Sequence, residues 1–245
     1  MKLITLNIWG AHIRDPFLTF IKNHNDIDIF CFQEVYHNAP QKVSNESRPV
    51  SLNIFSELQR LLPEHKGFFR PAVDNIYGIA TFVKKEIDVI KEGEIAIHIN
   101  ENYPGTGPTH SRNLQWLECQ INQQIYAILN VHGLWNGKGK SDCPERIAQS
   151  ERIRKFMDTL NAPKILCGDF NLRPDIESMK IIEQGMNNLI KTFNITSTRT
   201  SLYPKPEKFA DYVLTSPEII VKQFAVLQDE VSDHAPLLLD FTLET

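Results

Sequence analysis

Five short apolar runs in this chain each adjoin a cluster of polar or ionisable residues that the interior of a strand would not tolerate. Leu3-Ile4-Thr5-Leu6 meets Asn7, Ile27 to Val35 carries Gln33-Glu34 near its end, and Ile125 to Val131 leads into His132. Lys164 to Cys167 leads into Gly168-Asp169-Phe170-Asn171, and Ser232-Asp233-His234-Ala235-Pro236 precedes Leu237-Leu238-Leu239-Asp240-Phe241. Apolar runs this short, bounded by turn residues, read as buried strands. Rigid elements tipped with carboxylates, amides and imidazoles can converge those groups on one cleft.

The rest of the chain fills in a layered architecture. Lys2 to Trp9 reads as a strand, and Asp15-Pro16 opens a helix with Asp15 as N-cap and Phe17, Phe20 and Ile21 on one face. A helical spacing of apolar residues spans Val50 to Leu62 and is stopped by Pro63. Strands follow at Tyr77 to Val83 and Glu86 to Ile97, and Asn113 to Ile121 pairs with Ile125 to Val131 as a hairpin through Asn122-Gln123-Gln124. Glu145 to Leu160 reads as a strong amphipathic helix, and Pro174-Asp175 opens a short helix ending near Gly185. Ala210 to Leu214, Ile219 to Val226 and Leu237 to Thr242 complete the strands. Hairpins mixed with helices indicate an α/β or α+β layered fold, not a doubly wound parallel sheet. The 245 residues, 42% hydrophobic and 23% charged, suit one domain over 1–245.

A formal net charge of −4 argues against a global basic field for nucleic acid, although a local basic groove is compatible with it. Met1-Lys2 runs straight into the first strand with no apolar signal region, and no later run spans a bilayer, so the expectation is a cytoplasmic monomer without a membrane anchor. The four cysteines, Cys31, Cys119, Cys143 and Cys167, lack metal or redox spacing and read as reduced and structural.

Several residues invite a chemical reading. Glu34 closes an apolar strand, where a carboxylate is costly unless paired or bound to a hard cation such as Mg2+. If their segment stays extended and is not an ordinary Asp/Asn turn, Asp169 and Asn171 point to one side, which suits them to orient a water and to donate to a phosphoryl oxygen. His132 is either a structural histidine or a donor for developing charge, and Asp211, entering an apolar strand, either an edge-strand charge or a buried orienter for the imidazole of His234. Asn7 can hold a metal water or a carboxylate; Arg112 and Trp135 are candidates for phosphate contact and a stacking wall. Gly139-Lys140-Ser141 resembles the end of a P-loop, but Leu134 stands where that motif needs glycine, and the segment reads as a flexible loop.

In this order, Leu6-Asn7, Gln33-Glu34, Asn130-Val131-His132, Gly168-Asp169-Phe170-Asn171, Asp211-Tyr212 and Ser232-Asp233-His234, the clusters resemble the endonuclease/exonuclease/phosphatase superfamily. The resemblance implies a four-layer sandwich: two mixed, mostly antiparallel sheets packed face to face, with helices outside. It implies a metal-dependent hydrolase that cleaves a phosphoester by in-line attack of water, with nuclease, phosphodiesterase, phosphomonoesterase and sphingomyelinase-like members. Glu34 would be the principal Mg2+ ligand, Mn2+ being a substitute, helped by Asn7 and Asp233. Asp169 and His234 would activate the water, Asp211 would orient His234, and Asn171 and His132 would stabilise the phosphorus centre. The partner is then a phosphoester substrate, with nucleic acid among the candidates. Leu166 and Ala210-Asp211-Tyr212 depart from the inositol 5-phosphatase pattern, and His132-Gly133-Leu134-Trp135 departs from that of exonuclease III-type repair enzymes. The reading of another class is a catalytically idle scaffold that binds a phosphorylated ligand.

Overall fold

A computed structural model of the protein describes residues 1–40, 51–105, 107–121 and 123–243. One set of strands comprises β1 (Lys2–Asn7), β2 (Ile29–Tyr36), β3 (His65–Val73), β4 (Tyr77–Lys84), β11 (Ile219–Val226) and β12 (Leu237–Leu243). The other comprises β5 (Asp88–His98), β6 (Arg112–Ile121), β7 (Gln124–His132), β8 (Lys164–Asp169), β9 (Asn187–Asn188) and β10 (Asp211–Thr215). They form two six-stranded sheets, ordered β11-β12-β1-β2-β4-β3 and β5-β6-β7-β8-β10-β9. The helices are α1 (Arg14–Asn23), α2 (Ile54–Leu61), α3 (Pro144–Met157), α4 (Glu177–Glu183) and α5 (Leu189–Thr192). The whole is the expected α/β four-layer sandwich.

Each sheet has one parallel pair at its centre, β1 with β2 and β7 with β8, and is otherwise antiparallel. A parallel pair needs a crossover, and α1 and α3 supply it, which puts helices on the outer faces. The alternation within β1 and β2 sorts their side chains. Leu3, Ile29 and Cys31 join the core that includes the second sheet, whereas Ile4, Leu6, Phe30 and Phe32 pack with Phe17, Phe20 and Ile21 of α1.

This connectivity places the site. The parallel pairs bring the C-terminal ends of β1, β2, β7 and β8 to a common edge. Antiparallel pairing sets the start of β12 beside the end of β1, through Thr5 and Leu237, and the start of β10 beside the end of β8, through Asp211 and Asp169.

Several sequence expectations change. The helix α1 begins at Arg14, so Asp15 lies in its first turn, where it favours the positive end of the helix dipole, and is not its N-cap. The first strand ends at Asn7, and a 3-10 turn at Trp9–Ala11 follows. The helix read from Val50 starts at Ile54, and Val50 itself, like Asn122 of the hairpin turn, lies outside the described residues. Strand β3 went unread because Pro71 interrupts it; it is an edge strand, where the missing N–H is tolerated. The expected amphipathic helix, α3, ends at Met157 and buries Arg146, Gln149 and Ser150 together with Ile153 and Met157, a face that is polar over its first half.

Candidate active site

Glu34 is the extra residue of a β-bulge. The register of β2 against β4 shifts between Gln33 and Val35, and Glu34 adopts φ 59°. A non-glycine residue held there costs roughly 1–3 kcal/mol, and bulges of this kind re-aim a side chain. In the other sheet, Gly168 has φ 134° and a Cβ there would lie 2.1 Å from the Val131 carbonyl oxygen; a Cβ on Gly133 would lie 2.1 Å from that of Phe170. These glycines let the ends of β7 and β8 close on each other, joined by Gly133 N–H donating to Asp169 O at 2.7 Å. Below the site the two sheets are tied by amides. Gln33 Nε2 donates to Asn130 Oδ1 at 2.7 Å, and Asn130 Nδ2 donates to the carbonyls of Phe32 and Ala80, all fully buried.

The expected residues meet at this edge. Asn7 Nδ2 donates to Glu34 Oε1 and to Asp169 Oδ2, both at 3.0 Å, while its Oδ1 accepts from Trp9 N–H at 3.0 Å. His132 Nε2 lies 3.8 Å from each of the same two carboxylate oxygens. Asp169 Oδ1 accepts from Asn171 N–H at 2.9 Å, and Asn171 Nδ2 reaches Gly133 O at 3.3 Å and Asp169 Oδ2 at 3.4 Å. His234 Nδ1 faces both oxygens of Asp211, at 2.8 and 2.9 Å, and its Nε2 lies 3.7 Å from Asp169 Oδ2 and 3.9 Å from Asp233 Oδ1. Asp169, Asn171, His132, Asp211 and His234 are all buried, whereas Glu34 and Asp233 keep 27% and 13% of their side chains exposed. The opening of the site is therefore on the Glu34 and Asp233 side.

Burial, together with the negative charges of Asp233 and Asp169, pushes the Glu34 carboxyl above the usual range, to about 7. Burial also raises Asp211, to about 6. Burial, then the positive charge of Arg199, holds His234 well below the usual imidazole range, at about 3, and burial likewise depresses His132. Both rings are thus neutral at pH 7. Because Asp211 accepts a proton from Nδ1, the Nε2 lone pair of His234 is directed toward Asp169.

Arg112 is buried at the start of β6, within electrostatic reach of Glu34 and Asp169. Its Nη2 donates to Pro108 O at 2.9 Å, and its Nε and Nη1 are buried without a protein partner. Trp135 sits half-buried on the loop after His132, with the Lys205 ammonium 5.2 Å from its ring, and is not among the contacts of the cluster. The 139–141 segment is held firmly, contrary to the reading as a flexible loop. The Arg146 guanidinium donates to the carbonyls of Ser141 and Gly139, each at 2.6 Å, and Lys140 Nζ donates to Phe209 O at 2.9 Å.

Two neighbours of the site were given no role from the sequence. Thr198 Oγ1 donates to Asp211 Oδ2 at 3.1 Å while accepting from the backbone N–H groups of Ala210 and Asp211. Ser232, noted only as part of its tripeptide, donates from Oγ to Asn7 O at 2.7 Å and accepts from His234 N–H at 3.2 Å, locking the β12 approach to β1.

The donor chemistry suits a hard divalent cation. Glu34, Asp169 and Asp233 gather oxygens whose mutual repulsion is relieved in part by the Asn7 amide and by the charges of Arg112 and Arg199. Donor atoms of Asp169, Asp211 and His234 also lie within 4.8 Å of one another. That trio is a poorer cation site, because Nδ1 of His234 and both oxygens of Asp211 are already committed to each other. Asn7 turns its amide nitrogen to the two carboxylates and so orients Glu34 and Asp169.

No helix among the described residues is long and apolar enough to cross a membrane. No curated protein sequence matches the chain significantly. Solved structures do resemble it. An endonuclease/exonuclease/phosphatase from Bacteroides vulgatus is 21% identical, with 99% of this chain and 98% of that one covered at a TM-score of 0.76. A mannosyl-6-phosphatase from Bacteroides thetaiotaomicron is 18% identical over 99% and 100% of the two chains, TM-score 0.77, and the human Nocturnin catalytic domain with bound sulfate is 20% identical over 99% and 94%, TM-score 0.69. The sequence profile of the Endonuclease/Exonuclease/phosphatase family matches residues 4–234, and this chain belongs to that family.

Proposed function

We propose that the protein is a divalent-cation-dependent hydrolase of phosphoesters. The observation that carries this is the meeting of Glu34, Asp169 and His132 with the His234–Asp211 pair at one edge of both sheets. Asp169 Oδ2 and His234 Nε2, both acceptors, hold a water by its two protons and leave its lone pair facing the phosphorus. Asp211 then stabilises the imidazolium formed as His234 takes the proton. His132 Nε2–H, the Asn171 amide and the unpartnered N–H groups of Arg112 stabilise charge on the phosphoryl oxygens. Mg2+ or Mn2+, held by Glu34 and Asp233, would supply Lewis-acid charge to the same oxygens when bound.

Nuclease and phosphodiesterase activity fits the family, and the likeness to a mannosyl-6-phosphatase supports a second reading, hydrolysis of a sugar phosphomonoester. Purified protein incubated with DNA, RNA, sphingomyelin, phosphoinositides, sugar phosphates and bis(p-nitrophenyl) phosphate, in Mg2+, Mn2+ or EDTA, tests both. Metal-dependent release of product from at least one ester is expected, and free phosphate from a sugar phosphate would select the monoester reading. Glu34→Ala and His234→Ala should each lower kcat about a thousandfold while remaining folded by circular dichroism. Turnover of no ester with either metal would overturn the proposal.

A further inference from the structure

Beside the catalytic edge, the 133–143 and 199–209 loops gather cations where the reaction just described does not use them. Lys140 is 2% exposed; its ammonium uses one donor on Phe209 O and forms no ion pair among the described residues. Arg199 forms a β-bridge with His234, its side chain is 6% exposed, and its Nη1 meets Asp233 at 3.4 Å while its Nε is buried without a partner. Both approach the half-buried ring of Tyr203, Arg199 at 3.9 Å and Lys140 at 5.9 Å from its centroid, and each acts electrostatically on His234.

Two buried like charges repel, and burial with that repulsion drags Lys140 down to about 8. The nearby acids compensate incompletely. Asp211 is committed to His234 and Thr198, Asp233 to Arg199, and Asp169 to Asn7 and Asn171, while Glu207 has a buried oxygen of its own without a partner. Tethering a loop to one carbonyl does not require a charge, so a structural role leaves the Lys140 ammonium and the idle Arg199 N–H unexplained. Arg112, with its own idle donors, acts on Glu34 and Asp169 instead.

We propose that Lys140 and Arg199, set against Tyr203 beside His234, form a second anion subsite for a phosphate or carboxylate that the substrate carries in addition to its scissile phosphoester. The assignment rests on the phosphoesterase reading for its biological meaning, but binding tests it alone. Calorimetry in Mg2+ buffer compares methylphosphonate with methylenediphosphonate and with phosphonoacetate, on wild type, Lys140→Met and Lys140→Arg. For at least one two-anion probe, the affinity relative to methylphosphonate should fall about tenfold in Lys140→Met, the size of one charge-assisted hydrogen bond, and persist in Lys140→Arg. Chelation of Mg2+ by a probe is common to all three proteins and cancels. The responsive probe identifies phosphate or carboxylate. Equal ratios in all three proteins, a fall in Lys140→Arg as large as in Lys140→Met, or binding of no probe would each overturn the subsite. If Lys140→Met does not fold, Arg199→Gln is read in the same way. Hydrolysis of the ester panel named above by the same preparation is scored separately: turnover of none of them sinks the phosphoesterase and not the subsite.

Discussion

A neutral imidazole takes a proton from water only if the resulting cation is stabilised at once, and in this protein that burden falls on Asp211. Its carboxylate faces His234 Nδ1 at 2.8 Å in a buried setting, with no competing donor except Thr198 Oγ1 among the contacts it makes through Oδ2. Asp211→Asn keeps the shape but loses the charge, and it presents an amide that favours the wrong imidazole tautomer. We expect kcat to fall by roughly 10³–10⁴ with KM changed far less, checked by steady-state kinetics on whichever ester proves to be turned over. Thr198 is a milder test of the same chain of contacts. Thr198→Val removes the donor and should lower kcat about tenfold, whereas Thr198→Ser, which keeps the hydroxyl, should restore most of it. Equal losses in the two variants would show that the methyl group, not the hydrogen bond, positions Asp211. The pairing of Asp211 with His234 was readable in the sequence because both residues adjoin apolar strands. Thr198 was not, since its segment lies outside any strand and reaches the site through an isolated Arg199–His234 bridge and side-chain contacts that exist only once the chain is folded.

At the scale of elements, the site depends on how closely β7 and β8 end beside each other and how far β2 stands from them. Gly168 controls the first. A methyl group there would lie 2.1 Å from Val131 O in a backbone conformation with φ 134°. Gly168→Ala should therefore cost about 3 kcal/mol or more, measured by urea denaturation; a loss below about 1 kcal/mol would mean that the strands part without penalty. The second spacing is set by the Gln33 Nε2 to Asn130 Oδ1 bond, one residue before Glu34 and two before His132. A double-mutant cycle of Gln33→Ala and Asn130→Ala should show a coupling of about 1 kcal/mol in stability, the range found for contacting buried groups. The apolar run from Ile27 announced β2 because burial on both faces needs nothing from outside the strand. The bulge at Glu34 was hidden, because a bulge exists only relative to a partner, here β4. Nothing was read for β3, whose Pro71 is compatible with a strand only because β3 lies at a sheet edge.

For the whole molecule, the convergence of the clusters was implied by the family resemblance that their order carries, and two parallel pairs with two antiparallel neighbours are what bring their ends together. What charge and periodicity could not give was the energetic cost of enclosing so many imidazoles, and that cost has a consequence for acid stability. His65, far from the catalytic edge, is buried in β3 with Nε2 against Ile27 O at 2.9 Å and Nδ1 buried without a partner, beside the ring of Phe30. Burial lowers its pKa, Lys84 adds to the effect, and the Ile27 carbonyl, Asp28 and Glu64 oppose it. The folded chain therefore binds a proton at His65 less readily than the unfolded chain, whose imidazole titrates near its ordinary value of 6.5. The unfolded state gains protons first as pH falls, so this contribution to stability is complete above 6.5 and is lost progressively below it. In His65→Phe the ring cannot titrate. Urea unfolding free energies of wild type and His65→Phe, measured at pH 7.5 and pH 5, should fall more steeply with acid in the wild type, whatever their difference at pH 7.5. The comparison cancels Glu34, Asp211 and the site histidines, which both proteins share. Parallel lines would show that His65 takes up its proton as easily in the fold as out of it.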